Sequence, residues 1–192
     1  LLGAKLGWAC LGGTLTIGNG DINIQQLGVG LGAGSVGLFE QSGGDVVVNG
    51  NVVIGRDSGS QGTYRLLTDT VNGTTPKLNV NGVVSIGFEG LGLFEQQAGT
   101  VHTIAGGLFI GAVDGTYVSS GGTVFDGTYR QSGGSLRVGV DASDNVIGQG
   151  TIVGTLGAGL FEQTGGTHTT AALVVGNSSG STGRYKLSGG ER

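Results

Sequence analysis

Apolar and polar residues alternate along this chain in short runs that glycine closes. Six runs share the form apolar-x-apolar-Gly: Leu15-Thr16-Ile17-Gly18, Val52-Val53-Ile54-Gly55, Val84-Ser85-Ile86-Gly87, Leu108-Phe109-Ile110-Gly111, Leu136-Arg137-Val138-Gly139 and Leu173-Val174-Val175-Gly176. A period of two with β-branched residues, stopped by glycine, predicts a short strand ending in a turn. Asn19-Gly20, Asn49-Gly50, Asn72-Gly73 and Asn81-Gly82 predict tight corners, since both residue types accept positive φ. No stretch carries helical periodicity, and each interior glycine would cost a helix about 1 kcal/mol. The pattern predicts an all-β chain.

A second phrase sets the period. Gly37-Leu38-Phe39-Glu40-Gln41-Ser42-Gly43-Gly44 returns as Gly92-Leu93-Phe94-Glu95-Gln96-Gln97-Ala98-Gly99 and as Gly159-Leu160-Phe161-Glu162-Gln163-Thr164-Gly165-Gly166. Between these stand Tyr129-Arg130-Gln131-Ser132-Gly133-Gly134 and Tyr185-Lys186-Leu187-Ser188-Gly189-Gly190, with Tyr64-Arg65-Leu66-Leu67 a copy without glycines. Trp8-Ala9-Cys10-Leu11-Gly12-Gly13 fits the same frame. The aromatic positions Trp8, Phe39, Tyr64, Phe94, Tyr129, Phe161 and Tyr185 lie 24 to 35 residues apart, and Phe alternates with Tyr or Trp. A recurrence of that length with short strands predicts one coil of a β-solenoid per copy. The expected fold is a right-handed parallel β-helix of about seven coils over a single domain, 1–192. Its aromatic residues stack in one ladder and its aliphatic residues in another, about 4.8 Å apart, with glycine pairs at a corner. The alternative is a β-propeller or β-prism with each pair of copies as a blade.

Composition narrows the function classes. Glycine numbers 45 of 192, but the glycines keep register with the repeat, which argues for order over disorder. The net charge is −4 and the nine basic residues are scattered from Lys5 to Arg192, which argues against nucleic acid as a partner. No apolar run approaches the roughly 18 residues of a membrane helix, so no membrane insertion is expected. Cys10, the single cysteine, forms no intrachain disulfide and reads as a buried apolar residue or a free thiol. Leu1 to Leu6 is too short and too broken by glycine for a signal peptide, and the repeat is under way by Trp8. The chain reads as a segment of a longer or polymerising array.

Candidate chemistry is sparse. Glu40, Glu95 and Glu162 follow the Phe and should point outward, where a stacked carboxylate row could bind cations or keep the surface soluble. Their identical ladder positions lack the unequal environments that a glycosidase pair requires. His102 and His168 occupy matching places and read as decoration of the repeat, too far apart to share a metal. Asp141-Ala142-Ser143-Asp144-Asn145 resembles part of a calcium loop without its glycine or terminal Glu, and reads as a polar loop. Thr14-x-Thr16 and Thr167-x-Thr169 are too few for a flat threonine array. The expectation is no catalytic residue, no cofactor and no metal site.

The phrase Gly159 to Thr169, alternating with Tyr185 to Gly190, resembles the repeats of secreted bacterial β-solenoid proteins, including autotransporter passenger domains. The resemblance implies export, an extracellular or cell-surface location, and a structural or adhesive role. The leading expectation is a filament or stalk built by head-to-tail stacking of the chain on itself. A surface adhesin or glycan-binding module is the alternative. A carbohydrate-cleaving β-helix enzyme comes third, and would need an acidic cleft built from insertions at 67–77 or 112–127.

Overall fold

The structure, a computed structural model, describes residues 5–6, 9–111 and 126–189. Three seven-stranded parallel sheets form it, and no helix is present among the described residues. Sheet A stacks Lys5–Leu6, Ile22–Ile24, Asp45–Val48, Lys77–Val80, Val101–Ile104, Ser135–Val138 and Thr167–Thr170. Sheet B stacks Ala9–Leu11, Leu27–Val29, Val52–Ile54, Val84–Ile86, Leu108–Ile110, Thr151–Val153 and Leu173–Val175. Sheet C stacks Gly13–Ile17, Val36–Gln41, Gln61–Leu66, Leu91–Gln96, Gly127–Gln131, Ala158–Gln163 and Thr182–Leu187. The chain visits A, B and C in turn, so each set of three strands is one coil, numbered 1 to 7. This is the parallel β-solenoid that the repeat predicts. A propeller or prism, built from blades of hairpins, is excluded by sheets in which every strand pairs with its equivalent one coil away.

Alternation of side chains across each strand sends one set into the core. In Val36–Gln41, Gln61–Leu66 and Leu91–Gln96, every second residue is buried. Parallel registration then stacks like on like: Phe39, Tyr64, Phe94, Tyr129, Phe161 and Tyr185 are consecutive partners in sheet C. Sheet B adds Val52, Ile54, Val84, Ile86, Leu108 and Ile110, all fully buried. A coil has no core of its own, so burial depends on the coil above and below it.

Three expectations need correction. The partner of Phe39 in coil 1 is Leu15, so the ladder position expected for Trp8 is filled by an aliphatic residue. Trp8 itself and the Cys10 side chain lie outside what is described. Leu15-Thr16-Ile17 accordingly belongs to sheet C, not to the aliphatic sheet B. Leu136-Arg137-Val138 belongs to sheet A, and the sheet B strand of its coil is Thr151–Val153 after a loop at 139–150. Both errors have one cause, because apolar-x-apolar-Gly describes any strand that meets a corner.

The corners use glycine in two ways. At the corner from C to A, Gly44 sits at φ 65°, and a Cβ there would strike the carbonyl oxygen of Gly20 one coil below. The Asn-Gly corner at Gly82 differs from expectation, since Gly82 is not among the residues with positive φ. Its backbone instead stacks closely on the coil below, and a Cβ would meet the Asn51 side chain and the Gly50 carbonyl. Close stacking, not an unusual φ, fixes glycine at that position.

Candidate functional site

A row of polar side chains lies inside the solenoid, beside a stack of aromatic rings. Phe39, Tyr64, Phe94, Tyr129, Phe161 and Tyr185 stack with centroid separations of 4.7, 4.8, 4.8, 5.0 and 4.7 Å and nearly parallel planes. These separations are the strand spacing of a sheet, so the backbone sets the stack. Two residues on, the inward partners are Gln41, Leu66, Gln96, Gln131, Gln163 and Leu187.

Aromatic and amide positions are coupled. Each Tyr hydroxyl donates to the glutamine of the coil below: Tyr64 to Gln41 Oε1 at 2.7 Å, Tyr129 to Gln96 Oε1 at 2.8 Å, and Tyr185 to Gln163 Oε1 at 2.9 Å. The amide nitrogens are held by backbone carbonyls at the C-to-A corner. Gln41 Nε2 donates to Gly44 O and Lys77 O at 2.9 Å each, and Gln96 Nε2 to Ser135 O at 3.0 Å. Phe coils therefore carry Gln and Tyr coils carry Leu, because a Gln needs a hydroxyl above it. Gln131 breaks the rule. Phe161 lies above it, and its buried Oε1 has no partner.

Sheet A supplies the remaining members. Its inward positions from coil 2 to coil 7 are Ile22, Val46, Leu78, His102, Leu136 and His168. The two histidines, read from the repeat as its decoration, face inward. His102 is fully buried and stacks on Phe94 at 4.6 Å, and His168 stacks on Phe161 at 4.7 Å. His102 Nδ1 lies 2.9 Å from the Tyr129 hydroxyl, and His168 Nδ1 lies 3.0 Å from that of Tyr185. Each of these hydroxyls already donates to glutamine, so it accepts from an Nδ1–H, which leaves Nε2 bare. Nε2 of His102 has no partner, whereas that of His168 is 3.0 Å from Thr151 Oγ1. Burial pushes the His102 imidazole down to about 3 and that of His168 down to about 4. Burial also drives the Tyr64 and Tyr129 phenols up.

On the outer face of sheet C the carboxylates do not form a row of like charge. Glu40, Glu95 and Glu162 alternate with Arg65, Arg130 and Lys186. Successive ion pairs measure 3.1, 3.0, 3.7, 3.3 and 3.2 Å. Partial burial alone would raise the Glu162 carboxyl, but hydrogen bonds from Lys186 and Arg130 outweigh it and hold it below its ordinary value. Hydrogen bonds to Glu40 and then Glu95 raise the Arg65 guanidinium.

The loops hold their own acids. In the insertion 67–76, the Asp69 carboxylate accepts from the backbone amides of Asn72, Val71 and Thr74 at 2.8, 2.9 and 3.0 Å, and from the Thr74 hydroxyl. The Asn72 amide leads in holding this carboxyl well below the usual range. Asp141 accepts from Asn145 Nδ2 and from the amides of Ser143 and Asn145, and Arg137 pairs with Asp144 at 2.6 Å. Asp126 Oδ2 accepts from the Ala158 amide at 3.2 Å. The expected insertion at 112–127 lies outside the described residues as far as 125. Thr16 and Thr167 fall in different sheets, so the threonine pairs form no common rank. Among the described residues, no three His, Cys, Asp or Glu side chains group as metal ligands.

The chain was compared with models of protein families, with curated proteins and with solved structures, and it matches none of them.

Proposed function

We propose that this chain is a structural element of an extracellular or cell-surface protein, a segment of stalk or filament lengthened by stacking coil on coil. The observation that carries this reading is the two-coil code. Each Phe coil presents a Gln and a Glu that need a Tyr and an Arg or Lys from the next coil, so polar groups are spent on cohesion. The same resemblance of the Gly159–Thr169 phrase to secreted solenoid repeats supports the surface location. Coil 7 leaves Leu173, Val175 and Leu187 exposed at 46, 45 and 53%, whereas Leu108 and Ile110 in coil 5 are fully buried. An added coil, from the same polypeptide or from another copy, buries these residues and continues the ladders. A second copy joined head to tail makes a heterologous contact, which propagates into a fibre.

Electron microscopy and light scattering of the purified chain at micromolar concentration test the reading. Rods or fibres with a spacing of about 4.8 Å along the axis are expected. A screen against polysaccharides and acyl esters is expected to give no turnover. A compact monomer at every concentration, together with turnover abolished by changing Asp126 or Asp141, would overturn the structural role. A second reading, glycan binding, is favoured by one feature: a shallow outer groove lined by Gln97, Arg130, Ser132 and Thr164 beside Glu95 and Glu162. Saturable binding on a glycan array that Arg130→Ala removes would select it.

A further inference from the structure

We propose that coils 5 to 7 form an acid-labile half of the solenoid, in which the inward-facing imidazoles of buried His102 and half-buried His168 act as pH-sensitive pins while coils 2 to 4 stay acid-resistant. The argument starts from the slot in sheet A beside each tyrosine. In coil 3 it holds Val46, and in coils 5 and 7 it holds His102 and His168. Both rings are wedged between the aromatic below and the hydroxyl of their own coil's tyrosine.

Among the described residues, the surroundings provide no group to compensate a positive charge. His102 pairs in register with Leu78 and Leu136, stacks on Phe94 and bonds Tyr129. The inward residues of sheet B at these levels are Val84, Ile86, Leu108 and Ile110. His168, half-buried, pairs with Leu136, stacks on Phe161 and lies within hydrogen-bond reach of Tyr185 and Thr151. The titratable groups among all these are the two tyrosines, which burial keeps protonated and uncharged. The nearby charges, Lys77 and Arg137, sit one position from the inward residues on their strands and so face outward.

Acid therefore has one nitrogen to attack in each ring. A proton on His102 Nε2 creates a buried imidazolium whose new N–H has no acceptor. At His168 the Thr151 hydroxyl can turn to accept, so that ring yields first. Each imidazole binds fewer protons folded than unfolded. Stability is thus complete above the unfolded value near 6.5, and is lost as pH falls toward about 4 for His168 and about 3 for His102. Within that window the opening equilibrium rises by up to about tenfold per pH unit for each histidine. A stacked-coil fold can open locally, because each coil contacts only its neighbours.

Hydrogen exchange on the full chain, corrected for the intrinsic pH dependence of exchange, tests the proposal. Between pH 6.5 and 4, protection is expected to fall in peptides from coils 5–7 and to hold in those from coils 2–4. The double variant His102→Val and His168→Val copies the residue of coil 3, and is expected to keep protection at pH 4. The reciprocal variant Val46→His, which remains informative if the double variant misfolds, is expected to make coils 2–4 lose protection as well. A loss that is uniform from coil 2 to coil 7, or that the valine variant shares, or a Val46→His chain no more acid-sensitive than the original, would overturn the assignment.

Discussion

Coil 3 and coil 5 are built on the same plan and differ in chemistry at the inward sheet A position beside the tyrosine. In coil 3, Val46 stands beside Tyr64, whose hydroxyl donates to Gln41. In coil 5, His102 stands beside Tyr129, whose hydroxyl donates to Gln96 and also meets the imidazole. A tyrosine oxygen has one proton to give and lone pairs to spare, so it tolerates either neighbour. The comparison separates what the fold requires from what it permits. A donor for the glutamine below is required, and a second bond to the hydroxyl is an addition that introduces a titrating group into an apolar core.

Phe94 is where the two regions meet, since it stacks on Tyr64 on one side and on Tyr129 and His102 on the other. Phe94→Ala is expected to cost about 3–5 kcal/mol, the usual loss for truncating a buried aromatic residue. Glu95→Ala, facing outward on the same strand, is expected to change stability by less than about 1 kcal/mol. Denaturant titration of both variants checks the assignment, and equal losses would mean the strand faces are reversed.

The amide row offers a finer contrast. Gln96→Leu removes the acceptor of a buried hydroxyl, for an expected loss of about 1–3 kcal/mol. Gln131→Leu removes an oxygen that already has no partner, and gives the coil the residue that coil 3 has at Leu66. It forfeits only the donations from Nε2 to Thr167 O and Gly134 O, so it should cost less than Gln96→Leu. Thermal or chemical melts that place Gln131→Leu below Gln96→Leu would break the pairing rule.

The outer charge ladder should carry the smallest effect. Its side chains are 24 to 52% exposed, and solvent-screened pairs of this kind contribute at most about 1 kcal/mol each. Arg130→Ala should lower the midpoint slightly in dilute buffer, and the difference from the original chain should shrink in 1 M salt. A difference that grows with salt would show that the ladder is not electrostatic.

Much of this was legible in the chain itself. Phe39, Tyr64, Phe94, Tyr129, Phe161 and Tyr185 mark the register because an aromatic residue in a fixed frame has few alternative uses. Trp8 misled because a following Gly-Gly pair is not confined to one corner, and Leu15 carries no aromatic mark. Sheet A was obscure because Ile22, Val46, Leu78, His102, Leu136 and His168 share no single chemistry. The alternation of charge was readable in Tyr64-Arg65, Tyr129-Arg130 and Tyr185-Lys186, once these are set against Phe-Glu as neighbours in a stack. The inward placement of the histidines had a fainter signal: each appears only in the strand that precedes a tyrosine, never in one that precedes a phenylalanine. Nothing in local polarity conveys that a histidine flanked by Val101 and Thr103 faces inward, because alternation is symmetric until the coil closes.

Nitrogen NMR of His102 in the full chain at neutral pH tests the central claim most directly. The account predicts a neutral ring protonated at Nδ1, coupled to the Tyr129 hydroxyl, with a bare Nε2 that stays unprotonated through pH 5. A ring protonated at Nε2, or one already charged at pH 6, would contradict it.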